Sequence, residues 1–251
     1  MKTLLKFMLS AVLLTGFSCS TDDSYVDTNK FESQTEILSR SGSSNPFDYL
    51  GELHNSFMTE MHTLKPSKDK IPDLALEFVK KNGYDTSKFD SKAVSAIMNE
   101  SMTTDFTKEK IDEWGNRYRY SDEYKRELYK LADFFNKDSY QNPDDIVSQL
   151  KAIEASYLQA KLSEQEKQQL LATIAIARHS TDYWISFYPK DSGKENSADT
   201  DNKRRWFARI FGGVLSDVAG AIFGAIGGPV GSVIGAVAAS GGVQAIVDDN
   251  L

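Results

Sequence analysis

The sequence predicts an all-α fold: a multi-helix bundle of about six or seven helices followed by a glycine-rich helical hairpin. Between residues 45 and 190, apolar residues recur at spacings of three and four, the period of one helix face. Cap residues mark the helix starts, twice as Asn followed by Pro, at Asn45-Pro46 and Asn142-Pro143. No run of alternating polar and apolar residues and no Asn-Gly hairpin signal interrupts this region.

Asn45 is expected to cap the first helix with Pro46 at its first position, and Phe47, Leu50, Leu53, Phe57, Met61 and Leu64 form its apolar face. Pro72 opens the next, with Leu74, Leu76, Phe78 and Val79 apolar and Gly83 as the stop. A short helix over 90–99 runs through Val94, Ile97 and Met98, and another over 105–118 through Phe106, Ile111 and Trp114. Ser121 caps a long segment with Tyr124, Leu128, Leu131, Phe134 and Phe135. Asn142-Pro143 starts the next, carrying Ile146, Leu150, Ile153, Tyr157 and Leu158. Ser163 with Glu166 is a capping box, and its helix carries Leu170, Ile174, Ala177, Trp184 and Tyr188 before Pro189 ends it. Gly51 is out of place inside a helix, with His54-Asn55 a turn later; it implies either a close packing contact or a recognition feature.

The first 18 residues read as a signal peptide. Lys2 and Lys6 form a positive n-region, and Phe7 to Leu14 is an apolar run broken only by Ser10, too short for a stable membrane span. The chain has one cysteine, so no intramolecular disulfide is available, and Cys19 falls where the leader ends. Leu14-Thr15-Gly16-Phe17-Ser18-Cys19 resembles a lipobox, with Gly16 where a strict one has Leu. Followed by Ser20-Thr21-Asp22-Asp23, it looks like the start of a Bacteroidota-type lipoprotein. That resemblance implies acylation of Cys19, anchoring in membrane lipid, and display on the outer membrane, with the outward face as the expected side. Asn45-Pro46-Phe47-Asp48-Tyr49-Leu50-Gly51-Glu52-Leu53-His54-Asn55 is similar to N-terminal segments of uncharacterised secreted proteins from the same bacterial group, which implies kinship without an activity.

Residues 19–45 are polar and are expected to form a flexible lipid-anchored tether; 46–189 is the helical domain; 190–205 is a polar linker; 206–251 is the hairpin. The formal net charge is −7, and losing the leader removes Lys2 and Lys6 but no acid. Such a chain has no bulk attraction for nucleic acid, whose phosphates need clustered positive charge.

The tail changes composition abruptly. No charged residue occurs from Val218 to Val243, and Asp217 is the only acid between Ile210 and Val247. Gly220, Gly224 and Gly228 are spaced by four, and so are Gly227, Gly231 and Gly235. Glycine in a helix exposed to water costs roughly 1 kcal/mol against alanine, so two such rows point to close helix–helix approach in an apolar setting. Gly227-Gly228-Pro229 should turn the chain between them. The segment resembles glycine-zipper segments of membrane-active peptides, pore-forming bacteriocins and some envelope lipoproteins. Three roles compete: a hairpin on or in a membrane, a buried hairpin completing the soluble core, and self-association. Lys203 to Arg209, mixing basic and aromatic residues, suits a membrane interface.

No catalytic, cofactor-binding or metal-binding constellation emerges. His54 and His62 are eight apart on one helix, about 12 Å by helix rise, too far to share one metal, and are expected at the surface or the core edge. His179, Ser180 and Asp182 are neighbours in sequence, which does not give the convergence of a triad. The acid pairs Asp112-Glu113, Asp122-Glu123 and Asp144-Asp145 lie at or near helix starts, where the helix dipole accounts for them. The expected function is therefore a non-enzymatic envelope or surface lipoprotein whose tail packs on a membrane or against partner helices. The alternative is an antibacterial toxin or bacteriocin precursor, cut after Arg40 or Arg205 in loops, that frees residues 206–251 as a membrane-active peptide.

Overall fold

The computed structural model describes residues 44–137, 143–188 and 200–249. Among these there is no strand, and seven helices precede a helical hairpin, as the apolar periodicity predicts. They are α1 (Asp48–Leu64), α2 (Ile71–Lys81), α3 (Ser91–Thr103), α4 (Lys108–Tyr118), α5 (Asp122–Phe135), α6 (Pro143–Gln159) and α7 (Glu164–Phe187). The hairpin is α8 (Thr200–Gly224), a short 3-10 turn (Ala225–Gly227) and α9 (Gly228–Asp249).

Local chemistry sets most of the boundaries. Asp90, Thr107, Ser121 and Ser163 each accept a backbone N–H with their side chain at the start of α3, α4, α5 and α7. Ser163 and Glu166 form the full capping box. The start of α1 departs from expectation. Its N-cap is Phe47, with no side-chain cap, and Asn45 is fully buried rather than the last residue of a tether. Asn45 Oδ1 still accepts the N–H of Phe47, but its Nδ2 donates to Glu154 and to the carbonyl of Leu171. This residue therefore ties the chain entry to α6 and α7. The predicted linker also shrinks: residues 200–205 are already the first turns of α8.

The hairpin occupies the middle of the molecule. It contacts α1, α2, α3 and α7 along its length. Its aromatic residues meet α4 and α5: Phe223 packs edge-on against Trp114 at 5.0 Å, and Phe211 lies against Phe134 and Phe135. Val214, Val218, Ala221, Ile222, Val233, Ile234 and Val237 have no exposed surface. Of the three roles the sequence leaves open for the tail, the arrangement seen is a hairpin covered by the other helices. Most of residues 206–247 is buried, and the amphipathic helices turn apolar faces to it.

Candidate functional site

The predicted glycine rows meet each other inside the hairpin. A Cβ placed on Gly224 would lie 2.7 Å from the carbonyl carbon of Gly231, and one on Gly220 would lie 2.7 Å from that of Gly235. Real Cβ atoms do not approach so closely, so only glycine lets α8 and α9 run backbone against backbone. Gly227 and Gly231 also receive the ring of Phe89. Gly228 plays a different part. It has φ +81° and nothing near its missing side chain, so it is the turn residue rather than a zipper residue. The chain reverses at Gly228-Pro229, as predicted.

Buried polar groups cluster where α1 and α7 cover this hairpin. Asp217 has no exposed surface. Its Oδ2 accepts from Ser180 Oγ and from Trp184 Nε1 at 3.0 Å, both on α7. His54 Nε2 of α1 lies 3.4 Å from the same oxygen and 3.1 Å from Ser240 Oγ of α9. On its other side, His54 Nδ1 faces Asn55 Oδ1 at 2.9 Å. The Asn55 amide is oriented by its Nδ2, which donates to the carbonyl of His179. That orientation turns the Asn55 Oδ1 toward the ring nitrogen. One turn further along the same face of α9, Gln244 accepts from Tyr183 Oη at 2.9 Å and meets His62 Nδ1 at 3.3 Å. Asp217 Oδ1, Ser216 Oγ and Ser232 Oγ are buried without a hydrogen-bond partner.

His54 corrects its expected position: it is wholly inside, not at a surface or core edge. The core accepts it because Asp217, Ser240 and Asn55 surround its nitrogens with polar atoms. Helical periodicity gave no sign of this, since the partners are 163 and 186 positions away in sequence. The isolated Asp217 in an otherwise uncharged segment was the one available signal.

A second cluster sits at the entry to α1. Arg178 of α7 pairs with Asp48 and, through Nε at 3.1 Å, with Glu154 of α6. His179 Nε2 lies 3.2 Å from Asp48 Oδ1. Burial pushes the Asp48 carboxyl up, but the His179 hydrogen bond and the Arg178 charge together bring it below its ordinary 3.8. Gly51 explains itself here. A Cβ at this position would lie 2.6 Å from His179 Cγ and 2.7 Å from the Ala175 carbonyl oxygen, so the glycine is a packing contact between α1 and α7.

These clusters do not assemble reacting groups. His179 turns to Asp48 while its neighbour Ser180 turns to Asp217. At His54, the serine and the carboxylate approach the same ring nitrogen, whereas a nucleophilic triad places them on opposite nitrogens. Both residues lack any exposed surface for a substrate to reach. Among the described residues, no group of three or more His, Cys, Asp or Glu is placed to hold a metal ion. One polar cleft, lined by Tyr118, Tyr120, Ser121, Ser163 and Glu166, lies where α5 and α7 start. The Glu166 carboxylate, part of its lining, accepts the N–H of both Ser121 and Ser163.

Cys19 and Arg40 lie outside the described residues. Arg205 corrects its expected setting in a loop: its backbone is within α8. Comparison of the chain with protein-family models, with curated proteins and with solved structures gives no match.

Proposed function

We propose that this chain is a non-enzymatic, lipid-anchored protein of the bacterial cell envelope that stores a membrane-compatible helical hairpin inside its own helical sheath. The observation that carries the proposal is the burial of a hairpin with that composition. Trp206–Val247 is the one segment among the described residues long and apolar enough to cross a bilayer, and 72% of its most apolar stretch is covered by the protein. An ordinary buried core hairpin meets the same test, so the deciding support comes from the other end of the chain. The lipobox-like sequence ending in Cys19 would place this hairpin beside a lipid surface. An acyl chain contributes about 0.8 kcal/mol per buried CH₂, and more than one chain on a single residue gives firm anchoring. The outer membrane, facing outward, is the proposed location.

Two experiments test the parts separately. Cys19→Ala should move the protein from the membrane fraction to the soluble fraction; unchanged partitioning removes the anchor. Full-length protein mixed with vesicles under mildly destabilising conditions should release trapped dye. Silence there, with the hairpin demonstrably accessible, removes the membrane role and leaves a soluble core.

The toxin reading keeps one observation in its favour: residues 206–249 are a single apolar hairpin of peptide size. Because Arg205 is helical, a protease would have to unwind the first turns of α8 to cut there. A synthetic 206–251 peptide that neither leaks dye nor inhibits related bacteria at micromolar concentration would end this reading.

A further inference from the structure

The hairpin is apolar, yet it carries buried polar residues, and the side-chain hydrogen bonds of Asp217, Ser240 and Gln244 go to α1 and α7. Among the described residues no corresponding polar seam joins it to α2 or α3, where Gly241 closes on Ile71 and Gly242 on Met98 and Met102. The two sides are held by different physics. Apolar contact is tolerant of sliding and separation, because any apolar surface, including lipid, can replace it. A buried carboxylate is not so tolerant. It is stable only while its partners stay in place, and in a bilayer it is among the most costly side chains.

We propose that the Asp217 seam is a latch: it commits α1 and α7 to the hairpin and holds the sheath closed. Asp217 acts in two ways. In the closed form it bonds Ser180 and Trp184 and faces His54, so the two covering helices share one anchor. In any opened form it would have to be exposed to water or carried into lipid, which opposes release of the hairpin. Replacing its carboxyl group by an amide therefore weakens the closed form and eases the open one together. Trp184 is fixed by the same anchor, since Gly213 leaves room for its indole directly against α8. This inference rests on the stored-hairpin reading only for the use of the latch, not for its existence.

The test measures opening itself, in the full chain with Cys19→Ser so that introduced thiols report alone. Val214→Cys places a thiol in the buried face of α8, and Leu128→Cys places a reference thiol in buried α5. With Asp217→Asn, thiol labelling at position 214 should accelerate at least tenfold while labelling at 128 changes less than twofold. Equal acceleration at both positions means that Asp217 supports the whole fold, and overturns the latch. No acceleration at either overturns it too. Should Asp217→Asn fail to fold, Ser180→Ala removes one donor and keeps the carboxylate. It should give the same selectivity with a severalfold effect, and uniform effects would again overturn the proposal. Dye release from anionic vesicles is read in parallel. Selective opening without leakage supports the latch and rejects the membrane role, so the two ideas fail separately.

Discussion

Gly212 and Gly224 belong to the same helix and differ in what surrounds them. Gly212 is exposed, with nothing near its missing side chain, whereas a Cβ on Gly224 would strike the backbone of Gly231. Gly212→Ala should therefore stabilise by about 0.5–1 kcal/mol, the ordinary helix preference for alanine. Gly224→Ala should destabilise by about 2 kcal/mol or more, because an overpacked backbone contact cannot be relieved by a rotamer change. Thermal or denaturant unfolding of the two variants checks the contrast, and similar values would deny the backbone contact. Asp48 gives the pH expectation. Its folded carboxyl titrates below the usual 3.8, so it stabilises the fold above that value and the contribution is lost as pH falls through the lower folded value. Asp48→Asn should be less stable at neutral pH and should lose less stability on acidification below 3.8; unfolding titrations from neutral to acid pH read this directly.

Among the elements, one side chain reaches from α7 to the start of α5. Glu166 completes the capping box of α7 and also accepts the Ser121 N–H at the start of α5. Its carboxyl is pushed up by burial, but hydrogen bonds from Ser121 and Ser163 bring it below the ordinary range. A cap is typically worth about 1 kcal/mol, so Glu166→Ala should cost about 1–2 kcal/mol, more than Glu164→Ala on the same turn. Denaturant midpoints decide it, and equal costs would show that the second helix gains nothing from Glu166. Gly51 belongs to the same scale, because it sets how closely α1 approaches α7. Gly51→Ala should loosen that contact and destabilise by about 1–3 kcal/mol despite alanine's better helix preference, since the Ala175 carbonyl cannot move without its helix.

For the whole molecule, the relation between sheath and hairpin is what matters. Amphipathic helices wrap a hairpin more apolar than themselves, and they do so with an apolar side and a polar seam. Protease treatment of intact cells tests the envelope placement. The described helices should resist cleavage as one unit, with cuts expected outside them and not after Arg205 within α8. Early release of a 206–251 fragment would instead favour the toxin reading.

The sequence by itself determined the helices, the caps at Ser121 and Ser163 and the hairpin turn, because these depend on residues three or four positions apart. Ser163 with Glu166 and the glycine rows needed no distant partner to be read. It also showed that Gly51 and Asp217 were anomalies, but not what answered them. Only the tertiary structure decided that the glycine hairpin is enclosed by the other helices, that His54 lies inside, and that Asn45 ties α1 to α6 and α7. An apolar face carries no address: lipid, another chain and the protein's own helices satisfy it equally in sequence. Here the protein's own helices cover it, and His54, Asp217 and Ser240, far apart in sequence, meet across that contact.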